Sequence, residues 1–277
     1  YLYKCHNCGV GRSLSNFLKE QVSHLYDEYL LEHYREGHTG KGTAIPTPEL
    51  PMFTQPVFKS QSSIDLTPVS DLNNSHPAKG YLMGRGILED KLDQFYYCPN
   101  FKEWTNKQKQ TFEDTSNDDE RIIIPLKSKD GDLLGYQGRS MDIHAKMRYI
   151  TIMLDEDAPK IFGLDGIDER EDVYVTEGPF DSTFLGNSIA MCGSDVDLRG
   201  FDYKFIFVFD NEPRNKQIVE KIARAAEQGY PVVIWPSNIH QKDINDMVNA
   251  GINVENVIKS NIYSGLEAQL KLTSWKV

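Results

Sequence analysis

The second half of the chain alternates short apolar runs with amphipathic segments. Between the last two runs, from about Arg214 to Gln228, apolar positions recur at helical spacing, and Gly229 is typical of a helix end. Near-continuous apolar strands that alternate with helices predict a parallel sheet covered by helices on both faces. The four runs predicted as strands are residues 173–176, 188–192, 205–209 and 231–235.

The middle of the chain has a different pattern. The segment HPAKGYLMGRGI, from His76, begins a folded region that we expect to open with a helix. The segment RIIIPLKSKDGDLLGYQGRS predicts two strands joined at Asp130-Gly131, a dipeptide that favours a tight hairpin turn. An α+β part therefore precedes the parallel sheet, and the predicted fold class is α/β.

The first part of the chain contains a pair of cysteines, a helix and a linker. Apolar residues recur at helical spacing from Leu14 to Leu30, and we expect this helix to end near Glu36. Five prolines between positions 46 and 68, mixed with Ser, Thr and Gln, indicate an extended linker. The predicted parts are residues 1–36, the linker 37–74, a basic region 75–171 and the parallel-sheet region 172–277.

Composition narrows the possible function classes. The 277 residues are 39% hydrophobic, and no apolar run approaches the roughly 18 residues of a membrane-spanning helix. The formal net charge of −11 argues against a protein that simply coats nucleic acid, but it is compatible with phosphate chemistry carried out through metal ions. Because the chain starts at Tyr1 rather than at Met, we expect it to begin within a longer protein.

Carboxylates follow three of the predicted strand ends. Ligands of parallel sheets bind beyond the carboxyl ends of the strands, so these acids converge on one rim. Clustered carboxylates repel each other unless cations lie between them, and Mg²⁺ (or Mn²⁺) suits such a site. For any single acid, capping of a helix N-terminus is the ordinary alternative. The acids are Glu177 and Asp181, then Asp210 and Glu212, then Asp243 and Asp246.

Two of these acidic motifs resemble a known fold family. The segments EGPFDSTFL and FDNE resemble the signature motifs of TOPRIM domains, and KDIND resembles the third acidic element of the primase branch. The chain departs from the family at Glu212, where most members carry aspartate. Topoisomerases, nucleases and primases share this fold, so it does not by itself name a reaction.

The N-terminal CHNC motif indicates metal binding rather than a disulfide, in a reducing compartment. The segment YKCHNCGVGRSLSNFLKE resembles the second half of the zinc ribbon of bacterial and phage primases. That resemblance implies that Cys5 and Cys8 supply two of the four ligands that Zn²⁺ takes, with the other two upstream of Tyr1. A loop with two unmetallated thiols is the alternative.

Basic residues cluster in and after the predicted hairpin. The segment IIIPLKSKDGDLLGYQGRSM resembles the basic hairpin of primases, which faces template and nucleotide. The resemblance implies a role for Lys127 and Arg139, and Lys129, Arg148 and Lys160 are nearby candidates. Such cations position phosphates rather than specify bases. Taken singly, each is more often a solvated surface charge.

Two further segments resemble the primases of T-even-type bacteriophages. They are MRYITIMLDEDAPKIFGLDGID and NSIAMCGSD, and the likeness extends through nearly all of residues 1–265. It implies a DNA-directed RNA polymerase (a nucleotidyltransferase) that makes short RNA primers from ribonucleoside triphosphates on single-stranded DNA. It also implies a hexameric replicative helicase as partner in the primosome of the host cell cytoplasm, with no membrane association.

In this interpretation Asp210, Glu212 and Asp243 hold Mg²⁺, with Asp181 and Asp246 as further candidates. Glu177 is either a metal ligand or a general base, and the sequence leaves both roles open. Two alternatives use the same residues differently. One is a TOPRIM-type nuclease or topoisomerase, and the other is a zinc-containing module that binds nucleic acid without catalysis.

Overall fold

The computed structural model describes residues 2–4, 11–13, 64–193 and 198–276. The chain forms two compact units, Tyr1–Val57 and Phe58–Val277. In the first unit, β1 (Leu2–Lys4) pairs with β2 (Gly11–Ser13) in antiparallel register. Cys5 and Cys8, the helix predicted after them and most of the predicted linker lie outside the described residues.

The second unit begins with a five-stranded antiparallel sheet of order β3-β4-β5-β6-β7. Strand β5 is apolar on both faces because Ile122 and Ile124 enter one core cluster while Ile123 enters another. The predicted hairpin is confirmed, with Gly131 at φ +86° in the turn. The elements are β3 (Thr67–Pro68), α1 (Pro77–Gly84), β4 (Tyr96–Cys98), α2 (Phe101–Gln108), β5 (Arg121–Lys127), β6 (Leu133–Ser140) and β7 (Tyr149–Met153), with 3-10 turns at Val69–Asp71 and Glu89–Gln94.

A six-stranded sheet of order β13-β12-β11-β9-β10-β8 follows. Its four central strands are parallel, as predicted, and its two outer strands are antiparallel to them. Strand β9 lies between β10 and β11, so the strand order reverses there. The elements are β8 (Ile161–Phe162), a 3-10 turn (Leu164–Gly166), β9 (Val173–Thr176), α3 (Pro179–Ser182), β10 (Ser188–Met191), β11 (Phe205–Val208), α4 (Lys216–Glu227), β12 (Val232–Val233), α5 (Ile244–Asn249), α6 (Val254–Lys259), β13 (Ile262–Tyr263) and α7 (Gly265–Trp275).

Helices cover both faces of this sheet, as the apolar strands predict. Val173 and Val175 pack with α4 and α7 on one face, and Ile206 and Val208 pack with α5 and α6 on the other. Helix α4 lies within the predicted range and buries Ile218 and Ile222. Among the helices of the described residues, none is long and apolar enough to cross a membrane.

Two predicted segments differ from the structure. The predicted strand 231–235 is paired only at Val232–Val233, because the chain then leaves the ladder and the Ile234 N–H donates to the Asn261 carbonyl at 3.1 Å. The last residues of the predicted linker are folded into the second unit. Strand β3 pairs with β4 there, and Val69 is fully buried in the core, which ties this segment down.

Gly138 in β6 is required by a close approach. A Cβ atom at this position would lie 2.4 Å from Cε2 of Phe101, whose ring is fully buried. We expect Gly138→Ala to lower the free energy of unfolding by about 1–3 kcal/mol through overpacking. Thermal denaturation should show a melting temperature several degrees below that of the wild type.

Gly80 provides the matched control. It lies inside α1, is exposed, and has no atom within 4 Å of its added Cβ. We expect Gly80→Ala to be neutral or to stabilise the protein by up to about 1 kcal/mol. Equal melting temperatures for the two variants would contradict the packing of Phe101 against β6.

Candidate active site

Glu177 and Asp210 meet where the strand order of the second sheet reverses. Glu177 follows β9 directly, and Asp210 lies two residues beyond β11, its hydrogen-bonded neighbour. The Asp210 backbone N–H donates to Glu177 Oε2 at 3.3 Å. The crevice beyond the carboxyl ends of strands at such a reversal is the usual ligand site of parallel sheets.

Asp181 and Asp243 extend this acidic site. Asp181 lies in α3 and accepts the Asn245 backbone N–H at Oδ1, at 3.0 Å. Asp243 caps the N-terminus of α5 and accepts the Asp246 N–H at 2.8 Å. Helix capping, the ordinary alternative for a single acid, therefore explains only one contact of Asp243. It does not account for the electrostatics of the cluster.

Burial and neighbouring charges raise the pKa of two acids of the site, Asp210 and Asp181. Burial raises the pKa of Asp210 to about 7, and the charges of Glu177, Asp181 and Asp243 add to the effect. Burial also raises the pKa of Asp181 to about 6, again with a contribution from Asp243. Four carboxylates thus act on one another at this rim, as like charges do when they share a partly dehydrated space.

Glu212 is engaged elsewhere, and Asp246 is exposed. Glu212 accepts a hydrogen bond from Asn215 Nδ2 at 2.6 Å and forms an ion pair with Lys242 at 3.1 Å. The hydrogen bond from Asn215 lowers the pKa of Glu212, with the Lys242 contact acting in the same direction. The side chain of Asp246 is exposed. The structure therefore brings four of the six predicted acids together and turns Glu212 towards a lysine.

Two lysines that the sequence did not single out lie against the acids. Lys221 of α4 forms an ion pair with Glu177 Oε1, 44 residues away in the chain. The pKa of Lys242 is raised chiefly by its hydrogen bond to Glu212, and the charges of Asp210 and Asp243 raise it further. Lys242 could have been found from the sequence, because it directly precedes the predicted acid Asp243. Lys221 had none, since only the packing of α4 brings it to Glu177.

The donor set of the rim fits a hard divalent cation. Carboxylate oxygens are the ligands that Mg²⁺ and Mn²⁺ prefer, and mutual repulsion among them is what such an ion relieves. Within the part of the chain that the structure describes, no three His, Cys, Asp or Glu side chains are arranged to ligate one ion. Lys221 holds one Glu177 oxygen, and the α5 cap holds one Asp243 oxygen. Binding of a cation therefore requires these side chains to exchange partners.

Arg85 and Arg139 adjoin the acids and lie against the rings of Tyr81, Tyr149 and Phe180. We name this group the arginine wall. Arg139 Nε donates to the Tyr81 hydroxyl at 2.9 Å, and its guanidinium lies 4.5 Å from the Tyr149 ring centroid. Arg85 lies 5.0 Å from the centroid of the same Tyr81 ring and donates to Asn245, whose backbone N–H donates to Asp181. These contacts join the predicted Arg139 to the acidic rim.

Arg85 is a site residue that the sequence missed. It lies 5.0 Å from the Tyr81 ring centroid and 5.1 Å from that of Phe180. Its Nη1 donates to Asn245 Oδ1 at 3.0 Å, and its charge lowers the pKa of Asp181 against the larger effect of burial. In the sequence, Arg85 lies in the segment GRGI, where nothing distinguishes it from an ordinary loop cation. Only the contact of the turn after α1 with α5 gives it a place at the site.

The other predicted cations lie in different places. Arg148 is exposed and precedes Tyr149, and Lys160 is exposed, with its carbonyl accepting the Cys192 N–H beyond β10 at 2.8 Å. Lys127 ends β5, about 17 Å along the strand from the residue that pairs with Arg139. It forms an ion pair with Asp165 at 3.0 Å, and Lys129 forms one with Glu169. The predicted cations thus do not form one cluster.

Solved structures with a similar fold are primase cores. The Aquifex aeolicus primase (zinc binding and RNA polymerase domains) matches with a TM-score of 0.55 and 20% identity, over 94% of this chain and 73% of that one. The RNA polymerase domain of Mycobacterium tuberculosis primase DnaG matches at 0.52 and 16%, over 71% and 80%. A DnaG primase catalytic domain bound to ssDNA matches at 0.54 and 14%, over 76% and 78%. At these identities the likeness shows the fold alone.

Sequence comparison identifies the family. No family model matches the chain. The chain is, however, 32% identical over 280 residues to the DNA primase of Enterobacteria phage T4, an alignment that covers 98% of this chain and 80% of the T4 protein. Likeness of this level over nearly the whole chain extends through both the acidic rim and the arginine wall. The chain belongs to the bacteriophage DNA primases, the nucleotidyltransferases that synthesise RNA primers.

Proposed function

We propose that residues 172–277 form a TOPRIM-type catalytic domain, which synthesises primers at the rim beyond β9 and β11. The observation that carries this proposal is the burial of Asp210 beside Glu177, Asp181 and Asp243. Burial chiefly, and the three neighbouring charges in addition, raise the pKa of Asp210 to about 7. Family membership disfavours the nuclease and the non-catalytic binding module, which lack primer synthesis.

These four acids are the proposed holders of Mg²⁺ or Mn²⁺, with Glu212 as a further ligand once it leaves Lys242. The bound ion supplies charge neutralisation at the phosphates and a more nucleophilic 3′-oxygen. The 3′-oxygen forms a bond to the α-phosphorus of the incoming triphosphate, and the bond to the bridging oxygen breaks, releasing pyrophosphate. Both proposed roles of Glu177, ligand and proton acceptor, require the carboxylate that Lys221 pairs with.

Arg139, Arg148 and Lys160 are proposed to bind template or nucleotide phosphates near the rim, and Arg85 joins them. A primase core of the same fold has been solved bound to ssDNA, which supports a single-stranded template for this chain. Lys127 and Lys129 are proposed to contact nucleic acid farther along β5, where their partners Asp165 and Glu169 exchange for phosphates.

Zinc and the helicase complete the proposed assembly. In the sequence, Cys5 and Cys8 lie between the paired strands β1 and β2. The Aquifex aeolicus primase, which has a similar fold, was solved with its zinc binding domain. We propose that Cys5 and Cys8 supply two of the four ligands of a zinc site. Membership of the phage primases supports a hexameric replicative helicase as partner, in the host cell cytoplasm.

The raised pKa of Asp210 gives a test of the metal site. The pKa of the Asp210 carboxyl is 3.8 in the unfolded chain and about 7 in the folded protein. Asp210 therefore loses its proton at a lower pH when the chain is unfolded. In EDTA, the metal-free protein therefore loses stability as the pH rises from about 4 to about 7. Asp210→Asn removes this loss, so we expect its melting temperature to exceed that of the wild type by a few degrees near pH 8, with a smaller difference near pH 5.

Addition of Mg²⁺ should reverse the order of the two proteins. The wild type should gain melting temperature because Mg²⁺ binds the folded state, and Asp210→Asn should gain little. Glu255→Gln is the control, because that side chain is exposed and pairs with Lys259, so both measurements should stay near wild type. A metal-free Asp210→Asn protein less stable than the wild type would contradict the repulsion at the rim.

Glu177 is tested by separating synthesis from binding. We expect Glu177→Gln to lower ribonucleotide incorporation on single-stranded DNA by a factor of about 10² or more, because a proton acceptor or metal ligand is lost. Template affinity, measured by fluorescence anisotropy, should stay near wild type. Glu255→Gln, which breaks only an exposed ion pair with Lys259, should retain full synthesis. Substantial synthesis by Glu177→Gln would exclude a catalytic role for this residue.

A further inference from the structure

The loop between β6 and β7 exposes apolar side chains beside the site. Ile143 is 71% exposed and Met147 is 53% exposed, and Tyr149 at the start of β7 is 40% exposed. These are three of the seven large hydrophobic residues that are exposed in the described part of the chain. We name the segment Asp142–Arg148 the apolar loop.

The apolar loop is held firmly at its base. The Ser140 N–H donates to the Arg148 carbonyl at 2.9 Å, and the His144 N–H donates to Asp142 Oδ1 at 2.8 Å. Buried Arg121 donates from Nη1 to the Met147 carbonyl at 3.1 Å. The same guanidinium is fixed by the Gly138 carbonyl and by an ion pair with an aspartate. A loop with this support presents Ile143 and Met147 in defined positions rather than as a loose tip.

Positive charge flanks the exposed apolar side chains. Lys146 and Arg148 are exposed on either side of Met147, and no ion pair involves them within the described residues. Arg139 stacks on Tyr149 at the end of the loop. In a chain with a formal net charge of −11, this is a local surface of opposite sign. It complements an anionic partner that also has apolar faces.

Single-stranded nucleic acid has this combination of properties. Its bases expose flat apolar faces, and its phosphates lie at regular intervals beside them. Two apolar side chains and one partly exposed ring provide far less than the roughly 800 Å² that a stable protein partner buries per side. A chain of contacts joins the loop to the acidic rim. Arg139 stacks on Tyr149 and donates to Tyr81, and Arg85, which lies against the same Tyr81 ring, donates to Asn245 beside Asp181.

We propose that the apolar loop contacts unpaired bases of the single-stranded DNA template through Ile143 and Met147, while Lys146 and Arg148 bind the adjoining phosphates. This inference rests on the proposed function, because it assumes that the template reaches the rim along the arginine wall. The loop keeps the strand unstacked where it approaches the site. It adds affinity for bases of any sequence.

The test compares two oligonucleotides of equal length and charge, one with bases and one with abasic positions. Their affinities for the full-length protein with Mg²⁺ are measured by fluorescence anisotropy. The wild type should bind the base-containing strand more tightly. We expect the double variant Ile143→Ser, Met147→Ser to lose about tenfold in affinity for that strand and little for the abasic one. The dependence of its affinity on salt should not change, because no cation is removed.

Two further variants separate charge from apolar contact. Leu266→Ser, Leu270→Ser is the matched control, since these side chains of α7 are 71% and 64% exposed, and its affinities should equal those of the wild type. Lys146→Gln, Arg148→Gln should weaken binding to both oligonucleotides alike and reduce the salt dependence. Single Ser variants at 143 and 147 should each give part of the loss. Retained affinity for the abasic strand, with a melting temperature near wild type, excludes misfolding of the double variant as its cause.

An unchanged preference for bases in the double variant would overturn the proposal. A double variant that binds both strands normally but is no longer stimulated by the helicase would also overturn it, because the loop would then bind protein. These outcomes leave the proposed function untouched. A wild type that binds neither strand would instead refute the template-binding function itself.

Discussion

Strands β9 and β11 are hydrogen-bonded neighbours in the second sheet, and their register determines the geometry of the site. Val208 pairs with Thr176, so the residues that follow the two strands emerge side by side. Both strands are held by apolar packing on two faces of the sheet, and a slip by one residue would exchange those faces. The core therefore fixes Glu177 and Asp210 next to each other despite their mutual repulsion.

That repulsion is the property of the rim on which the proposed metal site depends. Burial and like charge raise the pKa of Asp210 and of Asp181, which makes the acidic cluster unfavourable by itself and favourable around a cation. Lys221 and Lys242 partly offset the charge by pairing with Glu177 and with Glu212. An ammonium group is a weaker partner for several carboxylates than a divalent ion is. The lysines thus stabilise the fold without closing the site.

Contact between the two sheets fixes the arginine wall relative to the acids. Phe180 after β9 packs with Phe95 and Phe162 in a core cluster that also contains residues of β5. Gln137 of β6 donates to the Cys192 carbonyl beyond β10 at 3.0 Å, a direct bond between the sheets. Because this interface is apolar and closely packed, it holds the arginine wall and the acidic rim next to each other. The apolar loop extends the wall at the end of β6.

The sequence by itself determined the local elements and the residues at their ends. The spacing of apolar residues predicted the bounds of β9, β10, β11 and α4 to within two residues. The acids could also be predicted, because they follow strand ends and a strand end is visible in the local sequence. Which acids converge was decided only in three dimensions, where Asp181 joins Asp210 while Glu212 turns to Lys242. The same holds for the contact of Arg85 with Asn245, 160 residues apart, and for the separation of Lys127 from Arg139. Such pairings depend on how sheets and helices pack, and no pattern along the chain records that packing.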